Sequence, residues 1–128
     1  MTKRPMVKIS WILILFFLAG CSNEKPSMVS YVRDIQPILQ EHCIECHHQK
    51  GSGYLASGLD MSSHQNLMKG TKYGPVIKAG DSISSTLVIL VEGRADPTLK
   101  MPHGDKNSLT LKQTKKLRLW IDQGALQN

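Results

Sequence analysis

The chain has 128 residues, enough for one domain around a single modest core. Sixteen basic residues stand against ten acidic ones, a formal charge of +6. No lysine or arginine cluster reads as a nucleic-acid surface: Lys115, Lys116 and Arg118 are the wet side of a helix, so nucleic acid is not an expected partner.

Lys3, Arg4 and Lys8 precede an apolar run that ends in small residues at Cys21, the order of a secretory signal. The run is about a dozen residues, where a spanning helix needs about 20, and polar Ser22–Ser27 follows at once. Leu18-Ala19-Gly20-Cys21 resembles the lipobox of bacterial lipoproteins. The resemblance implies cleavage before Cys21 and acyl chains on that residue, which hold the protein to a membrane. The expected division is a signal peptide at 1–20, a lipidated tether at 21–30 and a domain at 31–126. Export places the domain on the periplasmic side, and Ser22 after the lipidated cysteine points to the outer membrane. Removing 20 of 128 residues leaves 108, with 13 basic residues facing 10 acidic ones.

From Tyr31 the chain becomes periodic. Ile35, Ile38, Leu39, His42, Cys43 and Cys46 fall on one face of a helix of about ten residues, with Asp34 as its cap and Pro37 in its first turn. Residues 49–58, rich in glycine and serine, read as loop. Asp60 or Ser62 caps a turn or two of helix that stops at Gly70. Residues 71–81 are loop. Val88-Ile89-Leu90-Val91 suits either a strand or a short helix, and periodicity does not choose. A long loop covers 94–108. The last helix is clear: Thr110-Leu111-Lys112-Gln113 is a capping box, Leu117, Trp120 and Ile121 line one face, and Gly124 stops it.

The chemistry lies in Cys43-Ile44-Glu45-Cys46-His47-His48. With Cys21 lipidated, Cys43 and Cys46 are the remaining cysteines. Two thiols spaced by two residues can form thioethers to the two vinyl groups of a haem, and the next residue, His47, then reaches the iron. Other readings are a zinc site, a thioredoxin-like thiol pair and a structural disulfide. The zinc reading lacks a second ligand-spaced pair, and the thiol pair lacks a βαβ setting. A covalent haem would also fill a core poor in aromatics, since Trp11, Phe16 and Phe17 all lie in the signal. For a sixth ligand the candidates are Met28, Met61, Met68 and Met101. Met61 and Met68 suit packing, whereas Met101 stands in an irregular loop directly before Pro102.

Asp34–His47, Ser57–Met61, Pro75–Val91, Leu99–Pro102 and Leu109–Ala125 together resemble the short cytochrome c domain found in many planctomycete proteins. The resemblance covers about Tyr31 to Ala125. It implies an all-α, cytochrome c-like fold with N- and C-terminal helices packed around one covalent haem c, and it implies that 88–91 is helical. Cys43 and Cys46 match the thioether positions, His47 the proximal iron ligand and Met101 the distal one. It further implies that the Ile35/Leu39 face meets the Leu117/Trp120/Ile121 face. Two departures stand out. His103 occupies a position where proline is common, and His48 one where glycine is common, so His103 is a competing sixth ligand. Arg94, Lys100, Tyr54 and Tyr73 are available to the propionates. His42 and His64 are expected to serve packing or surface.

The function implied is single-electron transfer between extracytoplasmic redox partners met transiently. No acid–base or nucleophile set recurs, and a six-coordinate iron has no vacant position, so catalysis is not expected. The alternative is a ligand sensor or peroxidase-like site with an open sixth position.

Overall fold

The computed structural model describes residues 27–104 and 106–128. The expected signal peptide, Cys21 and most of the expected tether lie outside these residues. Among the described residues there is no strand, one isolated bridge between Thr71 and Gly74, and no helix long and apolar enough to cross a membrane.

The first helix starts earlier than its apolar period suggests. A π-helical turn, Tyr31–Ile35, runs directly into α1, Gln36–His42. Ser30, not Asp34, is the cap: its hydroxyl accepts from the Arg33 N–H, and Asp34 returns a carboxylate oxygen to the Ser30 N–H at 2.9 Å. A carboxylate four residues inside the helix thus closes the first turn reciprocally. Pro37 sits at the junction of the π-helical turn and α1.

The stretch 49–58, expected to be loop, contains a helix. This is α2, Ser52–Ser57, ended by Gly58 in the left-handed region. Its signals are tertiary. The Tyr54 N–H donates to the Cys46 carbonyl at 3.1 Å, and the Ser57 hydroxyl donates to the Gly53 carbonyl. Two serines and a glycine carry no amphipathic period, so pattern reading cannot see it. Helix α3, His64–Lys69, is capped by Ser63, while Asp60 accepts from the Ser62 N–H and the Asn66 amide instead. The ambiguous run is helical: α4 spans Thr86–Val91. The long loop holds one 3-10 turn, Pro97–Leu99. Helix α5, Leu111–Asp122, has the full Thr110/Gln113 capping box, and Gly124 follows it at φ 103°.

The π-helical turn and α4 both pack on α5. Ile35 and Leu39 share one buried cluster with Leu117, Trp120, Ile121, Leu87 and Val88. Trp120 is 1% exposed, tilts against Tyr31 with centroids 5.6 Å apart, and donates its indole N–H to the Leu126 carbonyl. His64 bonds the Ala125 carbonyl at 2.7 Å and stands edge-on to Tyr31.

Residues on either side of the expected 31–126 span are fastened to it. The Val29 N–H donates to Gln123, and Asn128 ties down residues 29–32. Its amide oxygen accepts from the Tyr31 N–H, its amide nitrogen donates to the Val29 carbonyl, and its own carbonyl accepts from Val32 N–H and the Ser30 hydroxyl.

Asp34 also pairs with Lys116 of α5 at 2.8 Å. That ammonium, then the Ser30 N–H, hold the carboxyl below its ordinary value of 3.8. A depressed carboxylate adds stability above its unfolded value, and the contribution disappears as pH falls through the folded one. In chemical denaturation, Asp34→Asn is therefore expected to lower stability at neutral pH. Variant and parent should then converge as the pH drops below about 4. Curves that stay parallel down to the acid limit would contradict this.

Candidate functional site

The C-terminal end of α1 delivers Cys43 into a short turn. The Cys46 and His47 N–H groups donate to the Cys43 carbonyl at 3.1 and 2.9 Å, so the Cys-x-x-Cys-His segment is itself one coiled turn. Both cysteines are free thiols, partly buried. Burial, with the neighbouring Cys46, pushes the Cys43 thiol up to about 11, so it stays neutral.

His47 is 8% exposed. Its Nδ1 is buried without a partner in hydrogen-bond geometry. Burial lowers the imidazole below its usual pKa, the Leu59 backbone opposes this, and nearby His103 adds to the lowering. The ring is held flat against backbone. A Cβ on Gly53 would lie 2.7 Å from its Cε1 and 2.9 Å from either nitrogen, and a Cβ on Gly51 would fall on the Cys46 carbonyl. Close approach of backbone requires glycine at Gly51, and a side chain at Gly53 would have to displace the His47 ring. The Met61 N–H donates to the His47 carbonyl at 2.7 Å, closing the segment from the other side.

Two cavities meet at this histidine. One, about 310 Å³, is walled by apolar groups including Leu59, Val76, Leu87 and Leu90. The other, about 330 Å³, holds Cys43, Cys46, Gly53, Pro102 and His103. His47, Ser57 and Met101 line both, so they form two lobes of one space. Each lobe alone is at the lower end of the range for small-molecule sites. The donors around this space are the imidazoles of His42, His47 and His103 and the thioethers of Met61 and Met101, with the two cysteine thiols in one lobe. Mostly apolar walls complete it. That set suits a flat apolar macrocycle whose metal takes His47 and Met101 and whose edge reaches Cys43 and Cys46. It does not suit zinc: among the described residues no three His, Cys, Asp or Glu side chains are placed to share a metal ion.

The other sequence candidates are scattered. Met61 is 2% exposed and packs in the core beside the apolar lobe, Met68 is half-buried against the core, and Met28 is exposed. His48 is exposed and turned onto the Gln49 carbonyl. Of the four propionate candidates, Tyr73 lines the apolar lobe. Tyr54 lines a separate polar cavity with Asp60 and Asn66, and Arg94 is engaged by Glu92 and the Ile83 carbonyl. Lys100 lays its stem along Gly93. Sequence reading missed the apolar wall from Leu59, Val76, Leu87 and Leu90. These residues come from three separate segments, and nothing local marks them as neighbours.

His42, expected to be packing or surface, is buried in the cysteine lobe. Its Nδ1 lies 3.1 Å from the Asn107 carbonyl and its Nε2 3.1 Å from the side-chain nitrogen of Gln113 on α5. Lys106 pairs with Glu45, joining the loop after Met101 to the cysteine turn.

Residues 43–105, just under half of the chain, match the family described as Planctomycete cytochrome C. The match opens on Cys43 and runs past Met101. No curated protein and no solved structure matches the chain.

Proposed function

Given a chain whose residues 43–105 form a cytochrome c domain of the planctomycete type, we propose that it is a monohaem electron carrier held to the periplasmic side of a bacterial membrane by a lipid on Cys21. Cys43 and Cys46 hold the haem through thioethers, His47 is the proximal iron ligand and Met101 the distal one. A haem bound there supplies one reversible electron, its iron alternating between ferrous and ferric. The chain's own part is to exclude water with the apolar wall, to fix the His47 ring against Gly53, and to present a soft sulfur that favours the ferrous form.

The observation that supports this reading best is that His47 and Met101 line both lobes, while the two thiols stand in one of them. His47 and Met101 would hold the iron of a haem bound there, and Cys43 and Cys46 would attach its macrocycle. His103 lines only the cysteine lobe, which favours Met101 over it. Redox proteins met briefly at the protein surface are the partners, consistent with a small net charge after signal removal.

Haem staining on a denaturing gel, with intact mass of the matured protein, tests porphyrin and lipid together. Met101→Ala tests the ligand. The midpoint potential is expected to fall, the ligand-field spectrum to change, and carbon monoxide to bind the ferrous variant but not the parent. Carbon monoxide binding by the parent would instead favour the sensor or peroxidase-like alternative.

A further inference from the structure

We propose that the end of the domain around Met28 is a membrane-facing surface. It seats on the headgroups of anionic lipid through Met28, Val32, Leu126 and Arg33. The inference rests on the lipid-anchor reading of Cys21 and deepens it, from a leash alone to a leash with a fixed face.

Large apolar side chains exposed singly over a surface need no explanation. Met28, Val32 and Leu126, 57%, 59% and 49% exposed, are not single. Hydrogen bonds bring their segments to one end of the molecule. The Val32 N–H donates to the Asn128 carbonyl at 3.1 Å, and the Asn128 amide donates to the Val29 carbonyl at 3.2 Å. Leu126 lies two residues before Asn128 and Met28 one before Val29, so each is within about 7 Å of chain from these bonds. Gln123 holds the same segment from the end of α5, accepting from the Val29 N–H and donating to the Ser27 carbonyl. The neighbours Val29, Tyr31 and Ala125 are buried. The segments thus turn one set of side chains into the core and leave the other apolar set in water.

Chain length says what covers this end. Cys21 is seven residues from Met28, a reach of at most about 25 Å when fully extended. A domain of about 100 residues has a radius of gyration of about 13 Å, hence a breadth of more than about 30 Å. A lipid on Cys21 therefore holds the Met28 end close to the bilayer and keeps the opposite side away from it. Three apolar side chains suit the boundary between headgroups and acyl chains, as a second attachment beside the anchor.

Charge agrees with that occupant. The Arg33 side chain is 78% exposed, and its contact with Asp34 is a long 3.9 Å. The carboxylates nearby are engaged within the protein. Asp34 is held by Lys116 and the Ser30 N–H, and Asp122 by the Ser82 N–H and hydroxyl. In the tether Glu24 and Lys25 offset each other. An exposed guanidinium on a long apolar stem, beside an apolar patch, favours a negatively charged headgroup.

The test places the matured protein in vesicles of phosphatidylethanolamine and phosphatidylglycerol and attaches one nitroxide at an added cysteine. Parent protein treated with the same label gives the background from Cys43 and Cys46. Labels on Val32→Cys and Leu126→Cys are expected to gain access to membrane-dissolved oxygen and lose access to a water-soluble nickel complex. Labels on Leu55→Cys, in α2, and Leu111→Cys, at the start of α5, should keep their nickel access. Adding Val32→Glu or Arg33→Gln to the Leu126→Cys chain is expected to restore nickel access, as is omitting phosphatidylglycerol. Equal access at all four positions, in protein that floats with the vesicles, overturns the inference and leaves the anchor reading intact. Broadening between labels that grows with protein density, with nickel access kept in dilute vesicles, makes a second copy the occupant and also overturns it. A matured chain that lacks acyl mass and does not float overturns the anchor reading, and this inference with it.

Discussion

Replacing Cys43 and Cys46 together by serine is expected to give a colourless protein on a denaturing gel, with a mass lower by one haem. Either single variant is expected to stay stained, because one thioether still survives denaturation. The expected effect on stability is as large as the effect on colour. The two lobes hold the space that a macrocycle would fill, and among the described residues the aromatic ring that lines them is that of Tyr73, while Tyr31 and Trp120 pack elsewhere. Burying a few hundred Å² of macrocycle at about 25 cal/mol per Å² contributes on the order of 10 kcal/mol as an upper bound. A small domain has about 5–15 kcal/mol in all. The double variant should therefore be largely unfolded or molten, read by loss of near-ultraviolet circular dichroism. A double variant that remains stained after denaturation would contradict the assignment of these two sulfurs.

Trp120→Ala is expected to lose about 3–5 kcal/mol. The indole is 1% exposed and sits where the π-helical turn, α3 and α5 converge, within 6.0 Å of both the Tyr31 and His64 rings. Removing it leaves a cavity between these elements and also removes the donor to the Leu126 carbonyl. Trp120→Phe retains most of the volume and is expected to lose mainly that hydrogen bond, about 1 kcal/mol. Guanidinium titration of the matured variants separates the two. Equal losses would mean that the hydrogen bond, not the packing, carries the effect. The haem spectrum should change little in either, because Trp120 does not line the lobes.

The parts legible in the sequence are those set by nearest neighbours along the chain. The α5 cap needs only Thr110 and Gln113, three residues apart, and Gly124 ends that helix through its own backbone. The Cys43–His47 turn is likewise local, which is why its chemistry could be read before its shape. The cap of the first helix was displaced from Asp34 to Ser30 because Asp34 works backwards, accepting from Ser30, and both arrangements use the same residue types. Helix α2 was hidden for a different reason. It is imposed by close approach: Gly53 meets the His47 ring and Tyr54 meets the Cys46 carbonyl, so its sequence records the contact and not the helix. Helix α4 carries an apolar run with no period, and a likeness to a family, not the pattern, anticipated it. The link from Gln113 to His42 depends on two residues 71 apart, and no spacing announces it.

The knot between residues 29–32 and Asn128 has a mechanical side. A chain leashed at its start feels any tug through Val29 and Ser30, and these are stitched to Gln123 and Asn128 at the foot of α5. A pull entering there would meet Gln123 and Asn128, beside the longest helix, before it could travel up Tyr31–His42 toward the cysteines.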